Sequence, residues 1–117
     1  QSLLQMGIPV AASSDAPVTT LDPLFGIYEA ITRITNSGEI VGPEERVTLE
    51  QALRMYTING AYASFEESIK GSLEVGKLAD LVVLSGTILG ESIENVSQMR
   101  IEMTVIDGEV IYDTGII

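Results

Sequence analysis

Hydrophobic positions along the chain fall into two regimes. In the first, Leu24, Ile27, Tyr28, Ile31 and Ile34 recur at helical spacing through about Thr35. Asp22-Pro23 stands in front of them as an N-cap followed by proline at the first helical position. A second helix opens at Thr48-Leu49-Glu50-Gln51, a capping box in which the Thr48 hydroxyl accepts from the Gln51 amide and Gln51 reaches back. Leu49, Ala52, Leu53, Tyr56 and Ala63 line one face of it, and the pattern ends near residues 64–67. Between the helices, residues 36–46 hold Gly38, Gly42 and Pro43 and read as loop. The second regime starts at Gly71, where glycines punctuate short β-type runs. Residues 80–84 form one strand, and Ile101–Ile106 and Glu109–Asp113 flank Asp107-Gly108, a two-residue hairpin signal of type I′. Ile101, Met103 and Val105 alternate with Glu102 and Thr104, which predicts one buried and one wet face.

Ahead of these lies Ser2-Leu3-Leu4-Gln5-Met6, helix-like and stopped by Gly7. Residues 8–12 follow as a short apolar run with Pro9 near its start, suited to a strand buried on both faces of a parallel sheet. That run leads into the polar loop Ser13-Ser14-Asp15-Ala16-Pro17. A chain that opens at Gln1 inside helix-like material reads as a piece of something longer.

Composition narrows the chemistry. The 117 residues carry 17 acidic and 6 basic side chains, a formal charge of −11. Such a chain repels nucleic-acid phosphates and anionic lipid surfaces, so no nucleic acid and no membrane is expected as a partner. The apolar runs are too short to span a bilayer, and no basic-then-apolar leader is visible, so a cytoplasmic location is expected. The chain has no cysteine and no histidine. Disulfides, thiolate chemistry and the commonest metal ligand and general base are therefore all missing. Chemistry within this chain has to run on carboxylates, hydroxyls and lysines.

Among those, Asp15 at the end of an apolar run suits two roles. It can cap the turn before Ala16-Pro17, or it can project as a reactive carboxylate. Ser13 and Ser14 can orient it or satisfy their own backbone, and Pro17 and Val18 can line a pocket or shape the loop. Lys77 and Asp80, three apart between glycines, read as a turn with an internal hydrogen bond or a surface ion pair of little energetic value. Glu44-Glu45 and Glu66-Glu67 are adjacent carboxylates that read as solvated surface, and Met55-Tyr56 reads as packing.

Four segments in order resemble the amidohydrolase superfamily, and within it the family-3 amidohydrolases. They are residues 7–18 around Ser14-Asp15-Ala16-Pro17-Val18, the helix 48–57, residues 71–84 (Gly-Ser-Leu-Glu-Val-Gly-Lys-Leu-Ala-Asp-Leu-Val-Val-Leu), and the closing hairpin 105–112. The third is the most specific, and together they cover nearly the whole chain. The resemblance implies an α/β fold: the last strand and helices of a (β/α)8 metal-dependent hydrolase barrel, followed by the C-terminal part of a small β-rich composite domain. Residues 1–68 would be the barrel share and 69–117 the β-domain share.

The resemblance further implies a metal-dependent hydrolase that cleaves amide-type C–N or related bonds of a small-molecule substrate with metal-activated water. Asp15 would be both catalytic base and metal ligand, and a divalent metal, zinc by expectation, would serve the parent enzyme. The family's histidines and bridging ligand lie upstream of the last strand, so this chain alone is expected to be inactive and to hold no metal. A non-catalytic scaffold or binding domain derived from the enzyme's tail is the alternative. Cut from a closed barrel, the strand at 8–12 and the helix face of Leu24, Ile27, Ile31 and Ile34 would lack neighbours, which predicts a homo-oligomer formed through residues 1–35.

Overall fold

A computed structural model describes residues 1–90 and 92–116. Among the described residues, five short helices and three strands follow one another as α1 (Ser2–Gln5), α2 (Pro23–Thr32), α3 (Leu49–Tyr56), α4 (Ile58–Ala63), β1 (Leu81–Leu84), α5 (Ile93–Val96), β2 (Ile101–Ile106) and β3 (Glu109–Asp113). A single 3₁₀ turn, Pro43–Glu45, interrupts the loop between α2 and α3.

The helix signals act locally. Asp22 caps α2 by accepting from the Leu24 amide at 2.9 Å, with Pro23 at the first helical position. The helix stops at Thr32, three residues earlier than the periodicity suggests. Arg33 turns left-handed at φ 60 and donates its amide to the Glu29 carbonyl. Ile34, apparently a fifth helical position, instead bridges to Ile40. Arg33 Nε and Arg46 Nε then donate to the carbonyls of Val41 and Thr32, each at 3.0 Å, tying the loop to the helix end. Both arms of the capping box at Thr48 are made, at 3.2 Å and 2.9 Å.

The second helical stretch is broken where the pattern predicts continuity. Thr57 adopts φ −126 and ψ −99, separating α3 from α4. Its hydroxyl donates back to the Leu53 carbonyl at 2.8 Å, a local competitor of the helix ladder.

Leu24, Ile27, Val47, Ala52 and Val96 form the core, with Leu84 and Ile101 of the sheet packed against it. Leu24 and Ile27 are therefore covered by the chain's own α3 and α5 rather than left open to water, which corrects the expectation of a bare helix face. Val96, from the later half, is buried in the same cluster as α2, so the core crosses the expected boundary between residues 68 and 69.

The sheet runs in the order β1-β2-β3, antiparallel throughout. Asp107 and Gly108 both have positive φ, 50 and 81, as the hairpin signal requires. The face assignment needs correction at Glu102, which is 5 % exposed rather than wet. The chain end crosses it: Thr114 donates its amide to the Glu102 carbonyl and its hydroxyl to Oε2 at 2.6 Å.

Residues 8–12 form no strand, against expectation. They have no ladder partner, and most of them are exposed. A strand exists only through its neighbours' hydrogen bonds, and among the described residues no other strand pairs with this run. Among the described residues no helix is long and apolar enough to cross a membrane.

Candidate functional site

The loop that carries Asp15 is closed by its own hydroxyls. Ser14 Oγ accepts from the Ala16 amide at 3.3 Å, Thr19 Oγ1 donates to the Ser14 carbonyl, and Thr20 Oγ1 accepts from the Asp22 amide at 3.3 Å. The Asp15 carbonyl accepts from the Val18 amide at 2.9 Å, across the cis Ala16–Pro17 peptide.

Asp15 itself sits at φ 54, in the left-handed region that aspartate tolerates better than most residues. An aspartate that caps a turn accepts the amide two residues on, and here that residue is Pro17, which has none. Ser14 and the main chain close the turn instead. Asp15 is exposed, and among the described residues nothing hydrogen-bonds its carboxylate.

Helices α3 and α4 hold this segment from behind. The Ala12 amide donates to the Met55 carbonyl at 3.0 Å, and Asn59 Nδ2 donates to the Val10 carbonyl at 2.9 Å. Beneath the loop lies a cavity of about 40 Å³, lined by Ser13, Ser14, Thr19, Thr20, Glu29 and Tyr56 among others. It has the size and polarity to hold a water. The Tyr56 ring reaches it because residue 26 is glycine: a Cβ there would overlap the Tyr56 hydroxyl. Burial, and then the nearby Glu29 charge, push the Tyr56 phenol above its usual pKa of 10.0.

The remaining candidates lie apart from the loop. Lys77 and Asp80 do not pair with each other. Lys77 Nζ donates to the Glu67 carbonyl at 2.6 Å and Ser72 Oγ at 2.7 Å, and meets Glu74 Oε2 at 3.0 Å. Asp80 accepts from the Asp107 amide at 2.9 Å and so steadies the hairpin. Glu66 pairs with Lys70 at 2.6 Å, and Glu45 accepts from the start of α1. Among the described residues no three ligating side chains converge. A lone carboxylate does not satisfy a divalent cation, which takes four or more donors. The donors among the described residues therefore do not make a complete metal site.

Sequence reasoning missed Asn59 and treated Tyr56 as packing alone. Gly26, a glycine inside a helix where it costs stability, is the local sign that something presses closely there.

The profile of the Amidohydrolase family matches residues 1–112. The chain is 37 % identical over 113 residues to the N-substituted formamide deformylase of Arthrobacter pascens, covering 97 % of this chain and 21 % of that protein. It is also 37 % identical over 113 residues to the protein LONG AFTER FAR-RED 3 of Arabidopsis thaliana, covering 96 % of this chain and 19 % of the relative. A solved amidohydrolase from Thermotoga maritima superposes with a TM-score of 0.71 at 28 % identity, over 95 % of this chain and 24 % of that one. The chain thus spans about a fifth of the length of the curated relatives it matches. By the profile, the identities and the superposed fold, it belongs to the amidohydrolase family.

Proposed function

We propose that this chain is the closing portion of a metal-dependent amidohydrolase that cleaves amide-type C–N bonds of a small molecule, with Asp15 as its reacting carboxylate. The observation that carries the reading is the state of Asp15: exposed, in a left-handed turn, and unused by that turn. A positive-φ non-glycine residue whose side chain has no structural task is the kind of position functional sites retain.

In the whole enzyme Asp15 would be one ligand of a divalent metal, zinc in the first instance, with the other ligands coming from outside residues 1–117, and the metal would supply water acidified toward neutral pH. The part of Asp15 is to take a proton from the attacking water and return it to the leaving nitrogen. Residues 1–68 belong to the barrel share and 69–117 to the composite β domain. The isolated chain then neither turns over substrate nor retains zinc, and its self-association rests on the backbone groups of residues 8–12 that no strand pairs. The deformylase relative acts on N-substituted formamides by its name, so these and N-acyl amino acids are the first substrates to try.

The test is Asp15→Asn in the full-length enzyme. Loss of a positioned general base lowers kcat by about 10²–10⁴-fold. Turnover at the wild-type rate would remove Asp15 from the chemistry.

A further inference from the structure

We propose that Asn59 is a positioning residue for the Asp15 loop, acting through the broken joint between α3 and α4; this rests on the reading of Asp15 as the reacting carboxylate. Residues 8–15 have no sheet ladder, so other contacts must fix where Asp15 stands. Two long-range hydrogen bonds do so, and both come from the same joint. Asn59 Nδ2 donates to the Val10 carbonyl at 2.9 Å across 49 residues of sequence, in a partly buried position. The Met55 carbonyl accepts from the Ala12 amide at 3.0 Å.

The break at Thr57 makes the second bond available. In an uninterrupted α-helix the Met55 carbonyl would accept the amide of the residue four positions on, which is Asn59. With Thr57 at ψ −99 the ladder lapses, and the carbonyl turns to Ala12 instead. The same break leaves Asn59 in the first turn of α4, with its side chain free to reach the segment in front. Val10 and Ala12 point their backbone groups at this joint, and Asp15 follows three residues later. Asn59 is thus a tether set just ahead of the turn, and a side chain without a donor there frees the segment that carries the carboxylate.

Hydrogen exchange on the 117-residue chain tests the tether directly. In Asn59→Ala the amides of Ala12 and Val18 should lose protection at least about tenfold, the loss expected for one hydrogen bond of roughly 1.4 kcal/mol or more at a charge-free site. Amides within α2 and the β2–β3 ladder should keep theirs and so report that the chain is folded. Asn59→Asp, the same shape with oxygen facing the Val10 carbonyl, should show the same pattern should the alanine variant fail to fold. In the full-length enzyme, with N-substituted formamides as probes, Asn59→Ala should lower kcat per folded molecule by about 10–100-fold through misplacement, with KM changed far less. Simple loss of folded enzyme would lower the total rate only in proportion to the folded fraction and leave kcat per folded molecule unchanged.

Unchanged protection at Ala12 and Val18, or an unchanged kcat per folded molecule, overturns the proposal. Asp15→Asn separates the two readings. It should abolish turnover while leaving Ala12 and Val18 protected, because the Asp15 side chain makes neither bond. Full turnover in Asp15→Asn with exchange lost in Asn59→Ala would refute the role of Asp15 and reduce Asn59 to a structural tether, ending its claim to position a reacting group.

Discussion

The helical first half and the β-rich tail meet the same requirement, burial of apolar surface, in opposite ways. In the helical half Leu24, Ile27, Val47 and Ala52 are buried, Ala52 completely. In the tail every residue of β3 is exposed, including Val110, Ile111 and Tyr112. The buried residues of the tail lie close to the helices or under the chain end: Val96 on α5 and Glu102 on β2. The helical half supplies four of the five core residues and Val96 of α5 the fifth, and the sheet joins the core at one end through Leu84 and Ile101. A two-sided sheet with an open edge gains little from its own side chains, so the tail's stability rests on turn geometry and on its attachment to α2.

The largest effect that sharpens this contrast is core truncation. Ile27→Ala should cost about 2–5 kcal/mol in urea unfolding, the usual range for a buried large-to-small change. Ile111→Ala on β3 should stay within about 0.5 kcal/mol, as surface substitutions do. Comparable losses at the two positions would show that β3 is covered in solution and that the contrast between the halves is false.

Two glycines then measure how the tail is attached. Gly71 has φ +90, and a Cβ there would lie 2.7 Å from the Ala61 Cβ and 3.0 Å from the Ile58 Cα. Gly71→Ala thus combines backbone strain with crowding against α4, each worth about 1–3 kcal/mol. Gly108 has φ +81 and open space around it. Gly108→Val carries the strain alone, about 1–2 kcal/mol by the cost of sparsely populated backbone regions. The expected order in urea midpoint is Gly71→Ala below Gly108→Val, and equal midpoints would mean that the 71 junction relaxes without resistance. An unchanged midpoint for Gly108→Val would deny the turn itself.

What the sequence reveals of this molecule divides along the same line. Caps and turns depend on a few adjacent residues, so Asp22-Pro23, the Thr48 capping box and Asp107-Gly108 are legible by inspection. Features that depend on distant partners are not. Residues 8–12 carry the composition of a buried strand, yet a strand needs neighbours that this chain does not bring alongside. Glu102 alternates like a solvent-facing residue, and only the crossing of Thr114 makes it interior. The loop around Asp15 is readable through Ser13-Ser14-Asp15 and its resemblance, whereas its tether at Asn59 lies 49 residues from Val10 and leaves no local pattern. The break at Thr57 is equally hidden, because threonine tolerates both a helix and its interruption.

The smallest expected effect concerns α1, which has no buried residue of its own and meets the core through the partly buried Leu4. With so little packing, its attachment is electrostatic. In the 117-residue chain by itself, where Gln1 carries a free amine, the Glu45 carboxylate accepts from that amine at 2.8 Å, from the Ser2 hydroxyl and from the Ser2 amide at 2.9 Å. Those bonds, in that order, hold the Glu45 carboxyl at about 2, against 4.5 for the free side chain. Since the folded value lies below the unfolded one, the ionised form is favoured by folding. Its stabilisation is present in full above pH 4.5 and is lost as pH falls toward about 2. Exposure to solvent keeps the effect small and sensitive to salt. Exchange of the α1 amides should therefore accelerate relative to α2 as pH drops through that window, after correction for the intrinsic pH dependence of exchange. Glu45→Gln should flatten the difference, and Ser2→Ala should halve it rather than abolish it, because the amine and the Ser2 amide still donate. An α1–α2 difference that is flat with pH in the wild type would mean that α1 is held by Leu4 against the core and not by Glu45, and that the helical half packs its ends as firmly as its centre.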